Sequence, residues 1–262
     1  MPQAAQHASL VQRLGSKLSP CAVWSTGKRR LPNAVRDIAA DAGFLPLFEL
    51  CKPFSMTSIE RMHALYKAAE YVVSRNIPGD VVECGVWRGG SSMLAALALQ
   101  KFGDIGRKVY MFDTFEGMTP PSENDKRYDG VAAAAIWDHV RACASLDDVR
   151  TNIARTNLPA DRFVLVKGPV EHTIPSARPN AISLLRLDTD WYESTKHELD
   201  HLYPQLSEGG VLIIDDYGHW EGARRAVDEY FAQIPDAPLL TRIDYTGRMA
   251  VKPCHPANRL KV

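Results

Sequence analysis

Apolar residues follow two rhythms along this chain. Ile59, Met62, Leu65, Tyr66, Ala69, Val72 and Val73 recur three or four apart, the spacing of a helix with one buried face. Thr57-Ser58-Ile59-Glu60 ahead of them has capping-box form, a hydroxyl with a Glu three residues on. Asn76-Ile77-Pro78-Gly79 stops that helix. The rhythm then changes to short continuous apolar runs: Val81-Val82, "VYMF", "FVLV", "ISLLRL" and "VLII". Between them lie amphipathic stretches: "SSMLAALALQKF", "DVRTNIARTNLP", "YESTKHELDHLYPQL" and, after the last run, "ARRAVDEYFAQI". "LLTRIDYTGRMAVKP" closes the pattern as a hairpin around Thr246-Gly247.

Strands with continuous apolar cores, alternating with helices, indicate an α/β fold with a parallel sheet covered on both faces. The expected architecture is a doubly wound, mostly parallel sheet with an antiparallel edge hairpin. Residues 1–55 hold apolar pieces such as Phe44-Leu45-Pro46-Leu47-Phe48 but no long periodic element. They are expected to form an N-terminal helical or irregular extension, a lid or an oligomer contact, ahead of a main domain over 56–262.

Composition narrows the function. Lys+Arg and Asp+Glu are equal at 31 each, and no basic stripe interrupts that balance, so a nucleic-acid partner is not expected. The cysteines number five and none has CxxC spacing, which argues against a disulfide scaffold or a zinc site and fits a reducing cytoplasm. The first residues lack an apolar signal core, and no run of 18 apolar residues exists, so neither export nor a membrane span is expected.

Two clusters carry chemistry, and both fall where strands end, the place where open parallel sheets bind ligands. In "VVECGVWRGGSSM" a strand turns through Gly85, Gly89 and Gly90 into a helix whose start Ser91 and Ser92 can cap. Glu83 at this turn repels a pyrophosphate but suits a sulfonium. Asp113 ends the next strand, where a carboxylate accepts ribose hydroxyls. Together they favour S-adenosylmethionine over NAD.

In "RLDTDWYEST…VLIIDDYGHW", Asp188 ends one apolar run and Asp215-Asp216 end another. If the two strands are neighbours, the three carboxylates converge and need a cation. Hard oxygen donors suit Mg²⁺, which could acidify a substrate hydroxyl. Asp190 is near enough to take that hydroxyl's proton, or it caps the helix that follows. His219 is the rival base. Trp191 and Trp220 are candidates for the pocket wall. Gly117–Gly130 is a polar segment bounded by glycines, a candidate lid.

"VVECGVWRGGSSMLAAL", "YMFDTFEGM", "LLRLDTDWYEST" and "GGVLIIDDYGHWEGARRAVDEYF" resemble the macrocin O-methyltransferase family, enzymes that methylate sugar hydroxyls of natural products. The resemblance covers about residues 55–252. It implies the class I, Rossmann-like methyltransferase fold, with S-adenosylmethionine as methyl donor and Mg²⁺ as metal. It puts the metal on Asp188, Asp215 and Asp216. It puts the cofactor on Glu83, Gly85, Val86, Gly89, Gly90, Ser91 and Asp113. It leaves Asp190 as the base, with His219 as the alternative, since this chain lacks the His that some members carry near Trp191 or Tyr192. It further implies a glycosylated small-molecule substrate and a homo-oligomer, expected to be a dimer. Within the family the chain resembles methyltransferases of the noviosyl 4-hydroxyl of aminocoumarins, which implies that hydroxyl as the expected target. An NAD-dependent oxidoreductase on the same fold, a non-catalytic Mg²⁺- or nucleotide-binding module and a metal phosphohydrolase are the competing readings; the acidic residues at the strand ends argue against the first, and Asp113 has no role in the last.

Overall fold

The computed structural model describes residues 35–254. Its centre is a seven-stranded sheet in the order β3-β2-β1-β4-β5-β7-β6. The strands are β1 (Asp80–Cys84), β2 (Val109–Asp113), β3 (Phe163–Lys167), β4 (Ile182–Leu187), β5 (Leu206–Ile214), β6 (Thr241–Arg242) and β7 (Arg248–Val251). The first five pair in parallel, and the β6–β7 hairpin joins β5 antiparallel. The chain runs outward from β1 to β3, then returns to β4 on the other side of β1. That reversal opens a crevice at the carboxyl ends of β1 and β4.

Helices cover both faces: α1 (Arg36–Ala40), α2 (Leu45–Cys51), α3 (Ile59–Ser74), α4 (Gly90–Lys101), α5 (Trp137–Val140), α6 (Leu146–Ala154), α7 (Val170–Ala177), α8 (Tyr192–Leu202) and α9 (Glu221–Phe231). Every residue of β4 is buried, Ser183 and Arg186 included, which explains why the rest of the strand is apolar. One core lies under α2, α3 and α4; the other lies under α7, α8 and α9.

The described part of the extension joins the first core directly. Phe44, Phe48 and Cys51 are fully buried against it, and Gly90 backs onto the Cys51 and Phe54 backbone. The expected lid or oligomer role of the extension rests largely on residues 1–34, which lie outside the described residues.

Three local expectations are corrected. The α3 cap is Ser58, whose Oγ accepts the Arg61 N–H at 3.2 Å; Thr57 instead accepts a bond from Arg186 Nη2 at 2.8 Å. Ser91 and Ser92 do not cap α4, because Gly89 holds that position in a left-handed conformation. Ser92 Oγ donates instead to Glu83 Oε2. Helix α7 went unread because Pro175 sits inside it.

Candidate active site

The parallel register of β4 and β5 sets Leu187 level with Ile214, so Asp188 and Asp215 leave the sheet side by side. One oxygen from each of Asp188, Asp215 and Asp216 lies within 4.8 Å of the others. The convergence expected from the sequence is therefore present. These residues line a cavity of about 490 Å³. Asp190, His219 and Tyr245 line it with them. The ends of β1, β2 and β3 add Gly85, Asp113 and Gly168–Glu171 to the same lining. A volume of this size is ordinary for a small-molecule site.

Asp113 is held by the turn it faces. Its Oδ2 accepts the Val86 and Trp87 N–H groups at 2.7 and 3.1 Å, and Oδ1 accepts Phe115 N–H at 2.7 Å. Those bonds fix the carboxylate against the cavity wall. Gly85, with φ +79°, lets β1 approach the β4 tip, since a Cβ there would collide with the Asp188 carbonyl. These two residues, of the seven expected to hold the cofactor, line the cavity. Val86 contributes its N–H to Asp113. Gly89 packs near Val149, and Ser91 Oγ meets Ser55 Oγ at 3.4 Å.

Glu83 is the clearest correction. It is 3% exposed and does not reach the cavity. Its Oε1 takes Arg186 Nη1 at 2.5 Å, and burial raises its pKa against that pull. A charged strand residue stays buried only with a partner, and here the partner is a neighbouring strand's arginine rather than a sulfonium. Arg186 is equally buried. Burial opposes its charge, but the Asp188 and Glu83 carboxylates outweigh burial and raise its pKa. It also reaches Asp188 Oδ2 at 2.7 Å and Asp215 Oδ1 at 2.5 Å. Arg61, from α3, holds Asp215 Oδ2 from the cavity side.

Sequence reasoning missed both arginines. Arg186 carried a signal, a single charge inside "SLLRLD". Arg61 carried none, being one exposed-looking charge on an amphipathic helix.

Asp190 has φ +68°, a strained conformation for a non-glycine residue of the kind that clusters at functional sites. It is not the cap of α8. The Tyr192 N–H at that helix start is met by Asp125 Oδ1 at 2.9 Å, reaching over from the Gly117–Gly130 segment. A Cβ at Gly222 would collide with the same Asp125 oxygen, which explains the glycine in "WEGARR". The cap from outside frees the Asp190 carboxyl for the cavity. There it lies beside the Asp216 and Trp220 side chains. Burial, with Asp188 nearby, pushes Asp190 up to about 6, and burial with Asp190 and Asp188 raises Asp216 well above the carboxylate range.

His219 lines the same cavity. Burial, then the Arg127 and Arg61 charges, lower its pKa, so it is neutral near pH 7. Its Nδ1 and the Tyr245 hydroxyl are 3.2 Å apart, and Tyr128 packs edge-on to its ring.

The Gly117–Gly130 segment is tied down rather than loose. Trp191 Nε1 donates to Thr119 O at 2.8 Å, and Glu221 N donates to Lys126 O at 2.7 Å. Trp191 and Trp220 stack edge to face in a small separate core beneath it.

Four carboxyl groups (Glu83, Asp188, Asp215 and Asp244) therefore share two guanidinium groups, Arg61 and Arg186, with Asp190 and Asp216 beside them. The negative excess and the all-oxygen donor set fit a hard divalent cation.

The family model for macrocin-O-methyltransferase (TylF) matches residues 15–251. The chain belongs to the macrocin O-methyltransferase family. Two relatives and one structure show how near it stands to other members. A tetracenomycin-C 4'-O-methyltransferase of Streptomyces olivaceus, named for its 2,3-dimethoxy-rhamnosyl compound, is 36% identical over 194 residues, 74% of this chain and 73% of that protein. Demethyldecarbamoylnovobiocin O-methyltransferase of Streptomyces niveus is 34% identical over 224 residues, 85% and 80% of the two chains. The structure of the O-methyltransferase NovP superposes with a TM-score of 0.69 at 32% identity, covering 77% of this chain and 83% of that one. This macrocin O-methyltransferase family member is thus an S-adenosylmethionine-dependent O-methyltransferase of the class I fold, with a mostly parallel sheet and an antiparallel edge. Among the described residues no helix is long and apolar enough to cross a membrane.

Proposed function

We propose that this enzyme methylates a hydroxyl of a sugar carried by an antibiotic-type natural product, with Mg²⁺ held by Asp188, Asp215 and Asp216. The finer reading is the 4-hydroxyl of a noviosyl group on an aminocoumarin. One observation carries the proposal: three convergent carboxylates line the same cavity as Gly85 and Asp113. The relatives support the sugar, since one is named for a rhamnosyl tetracenomycin and one for a novobiocin precursor.

S-adenosylmethionine would supply an electrophilic methyl group, and Mg²⁺ on Asp188, Asp215 and Asp216 would supply the Lewis acidity that lowers a substrate hydroxyl's pKa. Asp190 takes the hydroxyl proton. A carboxyl raised toward the working pH is a stronger base than an ordinary one, and burial gives Asp190 that property. Trp220 and Asp216 lie beside it. His219, neutral and bonded to Tyr245, orients the sugar on the opposite side. Gly85 and Asp113 position the donor, and the pinned segment around Trp191 keeps water out.

Among the described residues, Arg61 is the one cationic side chain other than histidine along the cavity, and it is already paired with Asp215 and Asp244. Among the described residues no unpaired Lys or Arg therefore lines the cavity for a diphosphate. That favours a sugar already attached to its aglycone over a nucleotide sugar. Titration calorimetry with S-adenosylmethionine and NAD, followed by mass spectrometry of a noviosyl aminocoumarin incubated with the enzyme, donor and Mg²⁺, tests the reading. Binding of the methyl donor alone and gain of one methyl group on the sugar support it. Binding of NAD, or methylation on the aglycone ring, overturns it.

A further inference from the structure

Asp215 is the most heavily engaged carboxylate of the acidic trio. Arg186 Nη2 holds its Oδ1 at 2.5 Å, and Arg61 Nη1 holds its Oδ2. The two arginines differ in what they are free to do. Arg186 is 2% exposed, lies behind the cavity wall, and is also bonded to Glu83, Asp188 and Thr57. Its position is over-determined. Arg61 lines the cavity and bonds Asp215 through Nη1 alone. Its Nε is separately anchored, to Asp244 Oδ2 at 3.0 Å and Ser58 Oγ at 3.3 Å. Rotation of the guanidinium off Asp215 therefore leaves it a second carboxylate.

We infer that Arg61 is the internal counter-cation of this corner and competes with the divalent metal for Asp215 Oδ2. The inference rests on the metal assignment proposed above and concerns how the chain tunes it. Asp215 is 2% exposed, and a carboxylate so buried is costly without a partner. Arg61 supplies that partner from the cavity side. When a cation binds to the trio, the guanidinium is repelled and loses its acceptor, and it withdraws onto Asp244. Arg61 thus lowers metal affinity while stabilising the metal-free protein, and Asp244 acts as the receiving site that makes withdrawal possible.

Two substitutions push metal affinity in opposite directions. Arg61→Gln removes the competitor and its charge. Asp244→Asn removes the receiving charge, yet its amide oxygen can still accept the Thr246 and Gly247 N–H groups that Asp244 Oδ1 holds at 3.0 and 2.7 Å. The readouts are Mg²⁺ and Mn²⁺ titration calorimetry and the melting temperature with and without metal. Neither needs turnover.

Arg61→Gln is expected to bind metal at least fivefold tighter than wild type (~5-fold is about 1 kcal/mol). It should melt lower without metal and recover more of that loss when metal is added. Asp244→Asn is expected to bind metal more weakly. Metal binding in wild type with equal or weaker binding in Arg61→Gln overturns the inference and leaves the metal assignment standing. Should Arg61→Gln not fold, unchanged or tighter metal binding in Asp244→Asn overturns it. No metal binding in any of the three proteins overturns the metal assignment and the inference together.

Discussion

Glu83 on β1 and Arg186 on β4 are register partners, and Arg186 Nη1 meets Glu83 Oε1 at 2.5 Å inside the sheet. The carboxylate at the glycine turn thus does its work beneath the cavity. It holds the guanidinium that in turn brackets Asp188 and Asp215. The acidic corner is supported from below by a buried ion pair and closed from above by Arg61.

Glu83→Gln should therefore lower stability while leaving S-adenosylmethionine affinity within about twofold of wild type. Arg186→Leu should cost roughly 3–5 kcal/mol, because it strands buried carboxylates without a counter-charge. Urea denaturation and calorimetry on the two variants check both. A large loss of cofactor affinity in a well-folded Glu83→Gln protein would return Glu83 to the cofactor site.

The fold was largely legible from the sequence because buried parallel strands write themselves as continuous apolar runs. "ISLLRL" and "VLII" named β4 and β5, and the acidic residues just beyond them named the trio. What escaped was set by contacts between distant segments. Asp125 and Arg61 lie 67 and 154 positions from the residues they bond, Tyr192 and Asp215, and nothing local marks them. Glu83 was misplaced for a related reason. Its partner, Arg186, was visible as the odd charge of its own strand, but only the β1–β4 register joins the two.

Asp190→Asn should lower kcat by about 10²–10⁴-fold, the usual contribution of general base catalysis, with donor binding unchanged. His219→Ala should act mainly on KM for the sugar substrate. Steady-state kinetics of both variants, with calorimetry for the donor, separate the roles. A larger fall in kcat for His219→Ala than for Asp190→Asn would exchange them.

Asp125→Ala should cost ~1 kcal/mol, the typical worth of a helix N-cap, through loss of the Tyr192 N–H bond. It should also lower kcat, because the uncapped helix start competes for the Asp190 carboxyl. Asp125→Asn keeps an acceptor and should retain most of both. Thermal melts and kinetics of the pair check this.

Asp244 gives the acid limb of stability its shape. Burial alone would raise its pKa, but the Arg61 charge and the Gly247, Ser58 and Thr246 donors outweigh burial and hold it below the usual value. A depressed carboxyl stabilises the fold above the unfolded pKa, near 4, and loses that effect as pH falls through the folded value. The stability gap between wild type and Asp244→Asn should be full above about pH 5 and narrow progressively as the solution is acidified below pH 4. Denaturation at a series of pH values measures it; a gap that widens toward low pH would contradict the assignment.

The most direct test of the central claim is single-turnover methyl transfer from S-adenosylmethionine to a noviosyl aminocoumarin, run with EDTA and then with Mg²⁺ restored, for wild type and Asp188→Asn. The expected result is sugar methylation by wild type that EDTA abolishes and Mg²⁺ restores, with Asp188→Asn inactive or requiring far more metal. Transfer that proceeds undiminished in EDTA, or that Asp188→Asn supports at the wild-type metal concentration, would contradict the reading of the three carboxylates as the metal site.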